Sequence, residues 1–465
     1  MGIGQGDERR AHMLHDPMKK LIPLVAVPSI INMLVGAIYN MADTFFVGQL
    51  GLSATGAVGI VFPIMNLLQA LSFVFAHGAN SYVSRLLGQN NPERAAQTVT
   101  TALVSAMVFG LLYGVAGLLF LDPVLRLFGA TETILPYARD YAQYIFIASP
   151  LFAGSYVMNN TLRAEGSTLK SLVGMSSGAV LNIILDPICI FALNMGVAGA
   201  GFATMIGQTF AFCLLLSFYI RKGKRASALS LSLRQFTCKG GMYGEMIRIG
   251  LPSFARMGLN SAATILLNNA AQPYGDAAIA GFSVVMRVLM LVNSAVIGYG
   301  QGYQPISGYN YGAGKYRRVE EAYRFTLRTA VIYSTICGAL LIALAPSLIG
   351  IFQSDPAVVE LGTTALRVQA AALPFMAFTM VHSMLFQSIG RAVPAFISAS
   401  ARQGLCFVPL VLILPRLFGF HGLLAAQPAA DVCAFLIVLP LAVRSIRALR
   451  VQQATERTED IFAVE

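Results

Sequence analysis

Apolar residues occur along the whole chain in runs of about twenty, and short polar segments separate the runs. A helix needs about twenty apolar residues to cross the hydrocarbon core of a bilayer. The pattern therefore predicts an all-α integral membrane protein. We predict twelve transmembrane helices, at residues 21–44, 54–80, 97–120, 138–162, 170–193, 198–220, 248–271, 277–304, 323–347, 362–388, 394–415 and 422–443.

The composition supports this interpretation, and the placement of charge gives the orientation. Of the 465 residues, 56% are hydrophobic and 11% are charged, whereas soluble domains carry about a quarter charged residues. The net charge of +11 does not indicate a nucleic-acid partner, because most lysines and arginines fall at the two ends and in the even-to-odd loops. The positive-inside rule then places both termini in the cytoplasm. We expect a multi-pass membrane protein, with the lipid bilayer as its partner.

The chain contains an internal repeat. A shift of 224 positions aligns Pro28 with Pro252, Ser29 with Ser253, Gly78 with Gly302, Arg94 with Arg318 and Phe128 with Phe352. Each repeat holds six spans, so both repeats have the same orientation and form two pseudo-symmetric six-helix bundles. The predicted order is a cytoplasmic N-terminal segment (1–20), an N-lobe (21–220, helices 1–6), a basic cytoplasmic linker (221–246), a C-lobe (247–443, helices 7–12) and a cytoplasmic C-terminal tail (444–465).

Two acidic residues break the repeat. Asp43 aligns with Leu267 and Asp186 aligns with Leu410, so the N-lobe carries carboxylates where the C-lobe carries leucines. Each acid precedes an outer loop by a turn or two of helix, which puts both roughly 10 Å below the outer face. Ionisable residues at such a depth commonly serve as ion or proton relays. We interpret them as function added to one lobe.

Polar neighbours complete this candidate site. Tyr39 shares a helix face with Asp43, and Asn182 shares one with Asp186, because residues four apart lie on the same face. Thr204 lies at a similar depth at the start of the sixth span. Two carboxylates in a low dielectric resist joint ionisation, so the pair suits a proton, or Na⁺ held with the Asn182 and Thr204 oxygens. The alternative is that each acid caps a neighbouring helix or faces trapped water.

Other unusual residues in the spans are interpreted one by one. Asp431 lies near the start of the last span, where an acid stabilises a helix N-terminus. Arg256 and Arg287 either face a central cavity or snorkel towards a surface, and the sequence leaves both possibilities open. Pro28 shares a helix with Asp43 and is a candidate hinge, because proline removes a backbone hydrogen bond.

The chain lacks the residue patterns of an enzyme. The six cysteines are scattered without a CxxC pair, and the five histidines show no metal-ligand spacing. No nucleophile–base set, metal motif or nucleotide loop occurs in the sequence. We therefore expect no enzymatic activity and no cofactor. A membrane-bound enzyme or receptor without transport is the alternative from a different functional class.

The sequence resembles the multidrug and toxic compound extrusion (MATE) family over essentially all of the twelve spans. The resemblance depends on five segments: NMADTFFVGQLG (40–51), GANSYVSRLLGQNNPERA (78–95), GYGQGYQPISGYNYGAGKYRRVEEA (298–322), LNIILDPICIF (181–191) and GVAGAGFAT (196–204). It implies two six-helix lobes around a central cavity. It also implies export of amphipathic organic cations or drugs, driven by entry of H⁺ or Na⁺ as the coupling ion. We expect small molecules of this kind as substrates, and a monomer.

The sequence is most similar to the bacterial branch related to the DNA-damage-inducible efflux proteins. The cation site of that branch falls here on Asp43, Asn182, Asp186 and Thr204, with the carbonyl of Ala200 as a further ligand. The resemblance also implies that the N-lobe cavity is lined by Tyr39, Tyr141 and Asn159, and that the bending proline is Pro28. The segment 252–269 lacks the acid that Na⁺-driven norfloxacin exporters carry in the C-lobe, which argues against coupling through that lobe.

These observations predict a secondary active multidrug exporter that works by alternating access. A cation enters from outside and neutralises the site at Asp43 and Asp186, the first helix rearranges near Pro28, and the affinity for the drug falls. The lobes then rock inward and release the cation to the cytoplasm. The alternative on the same fold is a flippase for a lipid-linked or other amphiphilic cargo, which a cationic cavity containing Arg256 and Arg287 would favour.

Overall fold

The computed structural model describes residues 5–220, 227, 229, 231–237, 240–352 and 355–462, and these residues form helices and no strand. Within the predicted linker, residues 221–226, 228, 230, 238 and 239 lie outside this described part. The first half contains α1 (Gln5–His15), α2 (Met18–Gly48), α3 (Leu52–Gly88), α4 (Pro92–Leu119), α5 (Leu121–Leu127), α6 (Leu135–Ala164), α7 (Thr168–Pro187) and α8 (Val197–Ile220). The second half contains α9 (Gly240–Ala271), α10 (Asp276–Gly312), α11 (Tyr316–Phe352), α12 (Pro356–Ala371), α13 (Leu373–Ser388), α14 (Ala392–Ser400) and α15 (Phe407–Phe462).

The predicted spans of the first half fall on α2, α3, α4, α6, α7 and α8, and a π-helical turn (Ile188–Ala192) extends α7. By length and hydropathy alone, eight helices of the described residues qualify as membrane spans, or nine with the bent pair α12–α13. α6 and α9 do not qualify on hydropathy, because each carries charged and amide side chains. Their 30 and 32 residues are nevertheless long enough to cross a bilayer.

The last span and the second part of the eleventh span are contained in α15, which consists of two helices joined at a kink. α15 holds 56 residues, roughly 84 Å of helix, which is far more than one crossing requires. The chain turns back inside α15 at Gly419, whose φ of 57° and ψ of −137° are not helical. α14, the π-helical turn Ala401–Cys406 and the first part of α15 form the eleventh span, and the rest of α15 forms the twelfth. The architecture is therefore the predicted one of twelve helices.

The internal repeat is visible in the backbone as well as in the sequence. Left-handed backbone conformations, with positive φ, recur at matched positions of the two halves: Gly51 and Gly275, Asn90 and Gly314, Gly166 and Gly390, and, after a one-residue slip in the register, Gly196 and Gly419. Glycine adopts this conformation without the steric penalty that a Cβ brings. The loops that end equivalent helices are thus built in the same way in both halves.

The two lobes touch through glycines, backbone against backbone. A Cβ at Gly78 on α3 would overlap the carbonyl of Met246 on α9, and a Cβ at Gly302 on α10 would overlap the backbone of Ala26 on α2. Gly78 and Gly302 are equivalent in the repeat. Small residues allow such close approach between helices in a membrane. These contacts lie in the halves of the helices nearest the predicted cytoplasmic side, so the lobes are closed on that side.

The N-terminal helix α1 bridges both lobes on the same side. The Arg10 guanidinium donates to the carbonyls of Leu87 (3.2 Å) and Gly88 (3.1 Å) at the end of α3. From the other lobe, the Arg318 guanidinium donates to the carbonyl of Asp16 at 2.7 Å. Charged donors satisfy the free carbonyls at helix ends in this way. The predicted N-terminal segment therefore includes a helix that connects the two lobes.

The glycine contact can be tested with a matched pair of substitutions on α3. We expect Gly78→Ala to destabilise the protein by about 1–3 kcal/mol, because the new methyl group must push α3 away from α9. Gly59→Ala is the control, since a Cβ at Gly59 meets nothing within 4 Å, and it reports the helix-propensity gain alone. Thermal unfolding in detergent measures both variants. Equal stability of the two would contradict the contact.

Candidate cation site and central cavity

The two acidic residues that break the repeat lie close together in the N-lobe. Asp43 is on α2 and Asp186 is in the last turn of α7, and their exposed fractions are 5% and 0%. α2 packs directly against α7, which brings the two buried acids into the same part of the N-lobe. The structure thus brings together two residues that are far apart in the sequence.

Three polar residues surround this acid pair. The Tyr141 hydroxyl on α6 donates to Asp43 Oδ2 at 3.2 Å. The Asn182 amide on α7 donates to Asp186 Oδ1 at 3.3 Å and to Thr204 Oγ1 at 3.2 Å. All five side chains are buried. Four helices (α2, α6, α7 and α8) therefore contribute to one enclosed polar site.

Acceptor oxygens outnumber donors at this site. Asp43 Oδ1, Asp186 Oδ2 and Asn182 Oδ1 are buried and accept no hydrogen bond from any residue that the structure describes. A buried carboxylate without a compensating partner is costly. The described residues include no group of three or more His, Cys, Asp or Glu side chains arranged for a metal ion. Two carboxylates with neutral amide and hydroxyl oxygens instead suit a single monovalent cation, or a proton.

Glycines on α8 determine how closely the site is enclosed. A Cβ at Gly201 would come within 2.8 Å of the Tyr141 carbonyl, and one at Gly199 would come within 2.6 Å of the backbone at Cys189. These glycines let α8 pack tightly against α6 and against the turn after Asp186. Ala200 is buried in the first turn of α8, one turn before Thr204.

The residues predicted to line the N-lobe cavity separate into two groups. Tyr39 and Asn159 do line the central cavity between the lobes. Tyr141 is buried, with an exposed fraction of 1%, and its hydroxyl donates to Asp43. Tyr141 therefore belongs to the polar site around Asp43, and its role in lining an N-lobe cavity stays a prediction.

The central cavity is large, and both lobes line it. Its volume is about 610 Å³, within the range of drug-sized binding sites. Eight methionines and several amide side chains contribute to the wall. Methionine is unbranched and polarisable, and such walls adapt to ligands of different shapes. Tyr39 lies at this wall one helical turn before Asp43, so α2 contributes to both the cavity and the acid site.

The cavity wall also answers the open question about two arginines. Arg256 and Arg287 both line the cavity, together with Arg163 and Arg402. Arg163 follows the predicted end of the fourth span by one residue, so the pattern assigned it to a loop. It is in fact buried, donates to Asn160 Oδ1 at 2.6 Å, and also donates to Gln301 of the other lobe. The adjacent amides Asn159 and Asn160 are the sequence signal that indicates a polar site here.

Asp431 does not cap a helix, which corrects the prediction. The last span begins after Gly419, so Asp431 lies about three turns inside it. Its carboxylate has an exposed fraction of 4%, accepts from Arg402 Nε at 2.5 Å and accepts from Gln427 at 3.3 Å. A buried acid requires such a partner, and the sequence alone does not show that the partner is 29 residues away.

Known proteins are similar to this chain over most of its length. The MatE family model matches residues 28–188 and 252–413, one match in each lobe. The chain is 28% identical over 432 residues to the multidrug export protein MepA of Staphylococcus haemolyticus (strain JCSC1435), covering 92% of this chain and 94% of that protein. It is 27% identical over 437 residues to MepA of Staphylococcus aureus (strain NCTC 8325 / PS 47), covering 93% and 96%.

Solved structures agree with these relatives. One, reported as the outward-facing conformation of a multidrug resistance MATE family transporter of the MOP superfamily, has a TM-score of 0.89 and 26% identity, covering 97% of this chain and 100% of that one. Another, a MOP superfamily transporter from Pyrococcus furiosus, has a TM-score of 0.90 and 25% identity at the same coverage, and is reported with a binding pocket of reverse polarity that suggests a different function. With one family match in each lobe and multidrug exporters among its relatives, the chain belongs to the MATE family and is a membrane transporter of the multidrug efflux class.

Proposed function

We propose that the protein is a cation-coupled multidrug exporter in which H⁺ or Na⁺ binds at Asp43 and Asp186 and drives efflux of amphipathic drugs from the central cavity. One observation carries the proposal. Three buried acceptor oxygens, on Asp43, Asp186 and Asn182, have no donor among the described residues. A cation there would supply the missing positive charge, and deep carboxylates of this kind commonly serve as coupling sites.

Helix α2 provides the connection between the ion and the drug. Tyr39 lines the cavity, and Asp43 lies on the same helix one turn further on. A cation that draws Asp43 towards Asp186 changes how α2 packs against α7. Such a change alters drug affinity only if the cation binds the two conformations of the protein with different affinity. Pro28 is the proposed hinge, because it leaves the carbonyl of Leu24 without its helical partner.

The closed side of the lobes supports alternating access. The glycine contacts between α2 and α10 and between α3 and α9 shut the cavity on the predicted cytoplasmic side. Export requires a second state in which these contacts open and the opposite side closes. In this proposal the protein is a monomer of the bacterial inner membrane with cytoplasmic termini, and it belongs to the branch related to the DNA-damage-inducible exporters.

A flippase for an amphiphilic cargo is a second candidate function, and one observation favours it. The cavity wall includes Arg163, Arg256, Arg287 and Arg402 and no described carboxylate. Phosphate-bearing lipids bind to such basic surfaces. Headgroup-labelled lipids in proteoliposomes separate the two functions, because a flippase makes the label accessible from the opposite leaflet without any drug present.

The coupling site is tested by neutralising each acid in turn. We expect Asp43→Asn and Asp186→Asn to lower gradient-driven drug efflux from proteoliposomes by about tenfold or more, since each removes a charge that holds the cation. A pH gradient and a Na⁺ gradient are imposed separately, and the one that drives the wild-type protein identifies the ion. Asp140→Asn is the matched control, because Asp140 is exposed at the start of α6. Normal coupling in both acid variants would rule out this site.

The hinge is tested by two proline substitutions on α2. Pro28→Ala supplies the missing amide to the Leu24 carbonyl and should straighten the helix, so we expect efflux to fall by about tenfold while equilibrium drug binding persists. Pro23→Ala makes the same chemical change one and a half turns earlier, where the residue is exposed. Efflux assays and binding titrations are run on both variants. If the two variants transport equally well, α2 does not bend at Pro28.

A further inference from the structure

The central cavity is basic, and most of its charge is uncompensated. Four arginines line it, and none of the described lining residues is Asp, Glu, Lys or His. Arg402 is neutralised by Asp431. Within the described part of the chain, no carboxylate lies within 4.0 Å of Arg163, Arg256 or Arg287. Three guanidinium groups therefore face a cavity inside the membrane without a counter-charge.

The guanidinium groups of these three arginines differ in their hydrogen bonds to the protein. Arg163 donates to the side-chain oxygens of Asn160 and Gln301 and is held in place across the lobe interface. Arg256 and Arg287 make no hydrogen bond to an acceptor of the described residues and are free to bind a ligand. An unpaired charge at membrane depth is costly and marks a functional site by default.

Two of these three arginines, Arg256 and Arg287, belong to the C-lobe and have no basic counterpart in the N-lobe, whereas Arg163 belongs to the N-lobe. The shift of 224 positions aligns Arg256 with Asn32 and Arg287 with Pro63. Asn32 lines the cavity as its repeat equivalent Arg256 does, so the two positions correspond and differ in charge. The shared scaffold therefore does not require these arginines, just as it does not require the two acids of the N-lobe.

We propose that Arg256 and Arg287 bind the anionic group of an amphipathic substrate, a carboxylate, sulfonate or phosphate, while its apolar body packs against the methionines of the wall. This inference rests on the proposed function, in which the cavity holds the transported substrate. The planar guanidinium pairs with such groups through two parallel hydrogen bonds. A concave site with charge of one sign also concentrates ligands of the opposite sign. An organic cation in the same cavity would instead be repelled by the positive charge of the arginines.

A pair of dyes tests the inference without any gradient. A rhodamine with a free carboxylate and its methyl ester share the same ring system and differ in that one charge. We expect the purified wild-type protein in detergent to bind the carboxylate form about tenfold more tightly, a typical effect of charge-assisted hydrogen bonds. The double variant Arg256→Gln, Arg287→Gln should lose this preference, because its affinity for the carboxylate form falls while its affinity for the cationic ester does not fall. Fluorescence anisotropy measures all four dissociation constants.

Two further variants keep the result interpretable. The double variant Arg256→Lys, Arg287→Lys retains both charges and should retain part of the preference, which separates charge from packing. Arg416→Gln removes an arginine that is exposed outside the cavity and should bind both dyes as the wild type does. If the wild type binds the ester as tightly as the acid, or if the glutamine variant keeps the preference, the inference is wrong.

The source of the anion is decided in proteoliposomes. Fluorescent phosphatidylglycerol that competes with the carboxylate dye and is flipped only when both arginines are present would support the inference and identify a lipid as the cargo. Efflux of the carboxylate dye without lipid flipping would support it with a soluble drug as the cargo. If the dye binds but no gradient moves it, the proposed coupling fails while the binding site stands. If the proteoliposomes move only the ester, the inference is overturned.

Discussion

Backbone contact between the lobes is the constraint on which the rest of the structure depends. Gly78 against Met246 and Gly302 against Ala26 bring two helix pairs together with no side chain between them. Without a hydrophobic driving force between helices in lipid, such close packing is what holds the lobes together. Further along the same four helices, side chains such as Asn32 on α2 and Arg256 on α9 line the central cavity. One set of helices therefore provides both the contact between the lobes and the cavity wall.

The unpaired acidic and basic side chains occupy different places in the two lobes. The uncompensated acids Asp43 and Asp186 are enclosed within one lobe, behind the wall that Tyr39 forms. The arginines Arg256 and Arg287 lie on the other lobe and line the cavity, together with Arg163 of the N-lobe. The acid pair and the two C-lobe arginines have no counterpart in the repeat. In the proposed mechanism, the repeat provides a symmetric scaffold to which one lobe adds an ion site and the other adds a ligand-binding surface.

The sequence was sufficient to predict features that depend on local residue patterns. It was not sufficient to predict contacts between side chains that are far apart in the chain. Apolar runs and the repeat register were enough to predict twelve helices, and the depth of the two acids was enough to predict that they lie together. The sequence alone could not show that the Tyr141 hydroxyl donates to Asp43, because their separation of 98 residues carries no periodic signal. For the same reason it misassigned Asp431, whose partner comes from another helix. The sequence also left open whether Arg256 and Arg287 face a cavity, because hydropathy does not report which way a charged side chain points.

The sign of the substrate's charge constrains how coupling works. In an antiporter, cation binding must weaken substrate binding, and this coupling is reciprocal. For a cationic substrate, a cation at Asp43 and Asp186 would weaken binding directly by removing negative charge from the protein. For an anionic substrate the direct effect has the opposite sign, because neutralising the acids strengthens the pull of Arg256 and Arg287. An exporter of anionic amphiphiles must therefore rely on a change of shape, and α2, which carries both Tyr39 and Asp43, is the element that can transmit it.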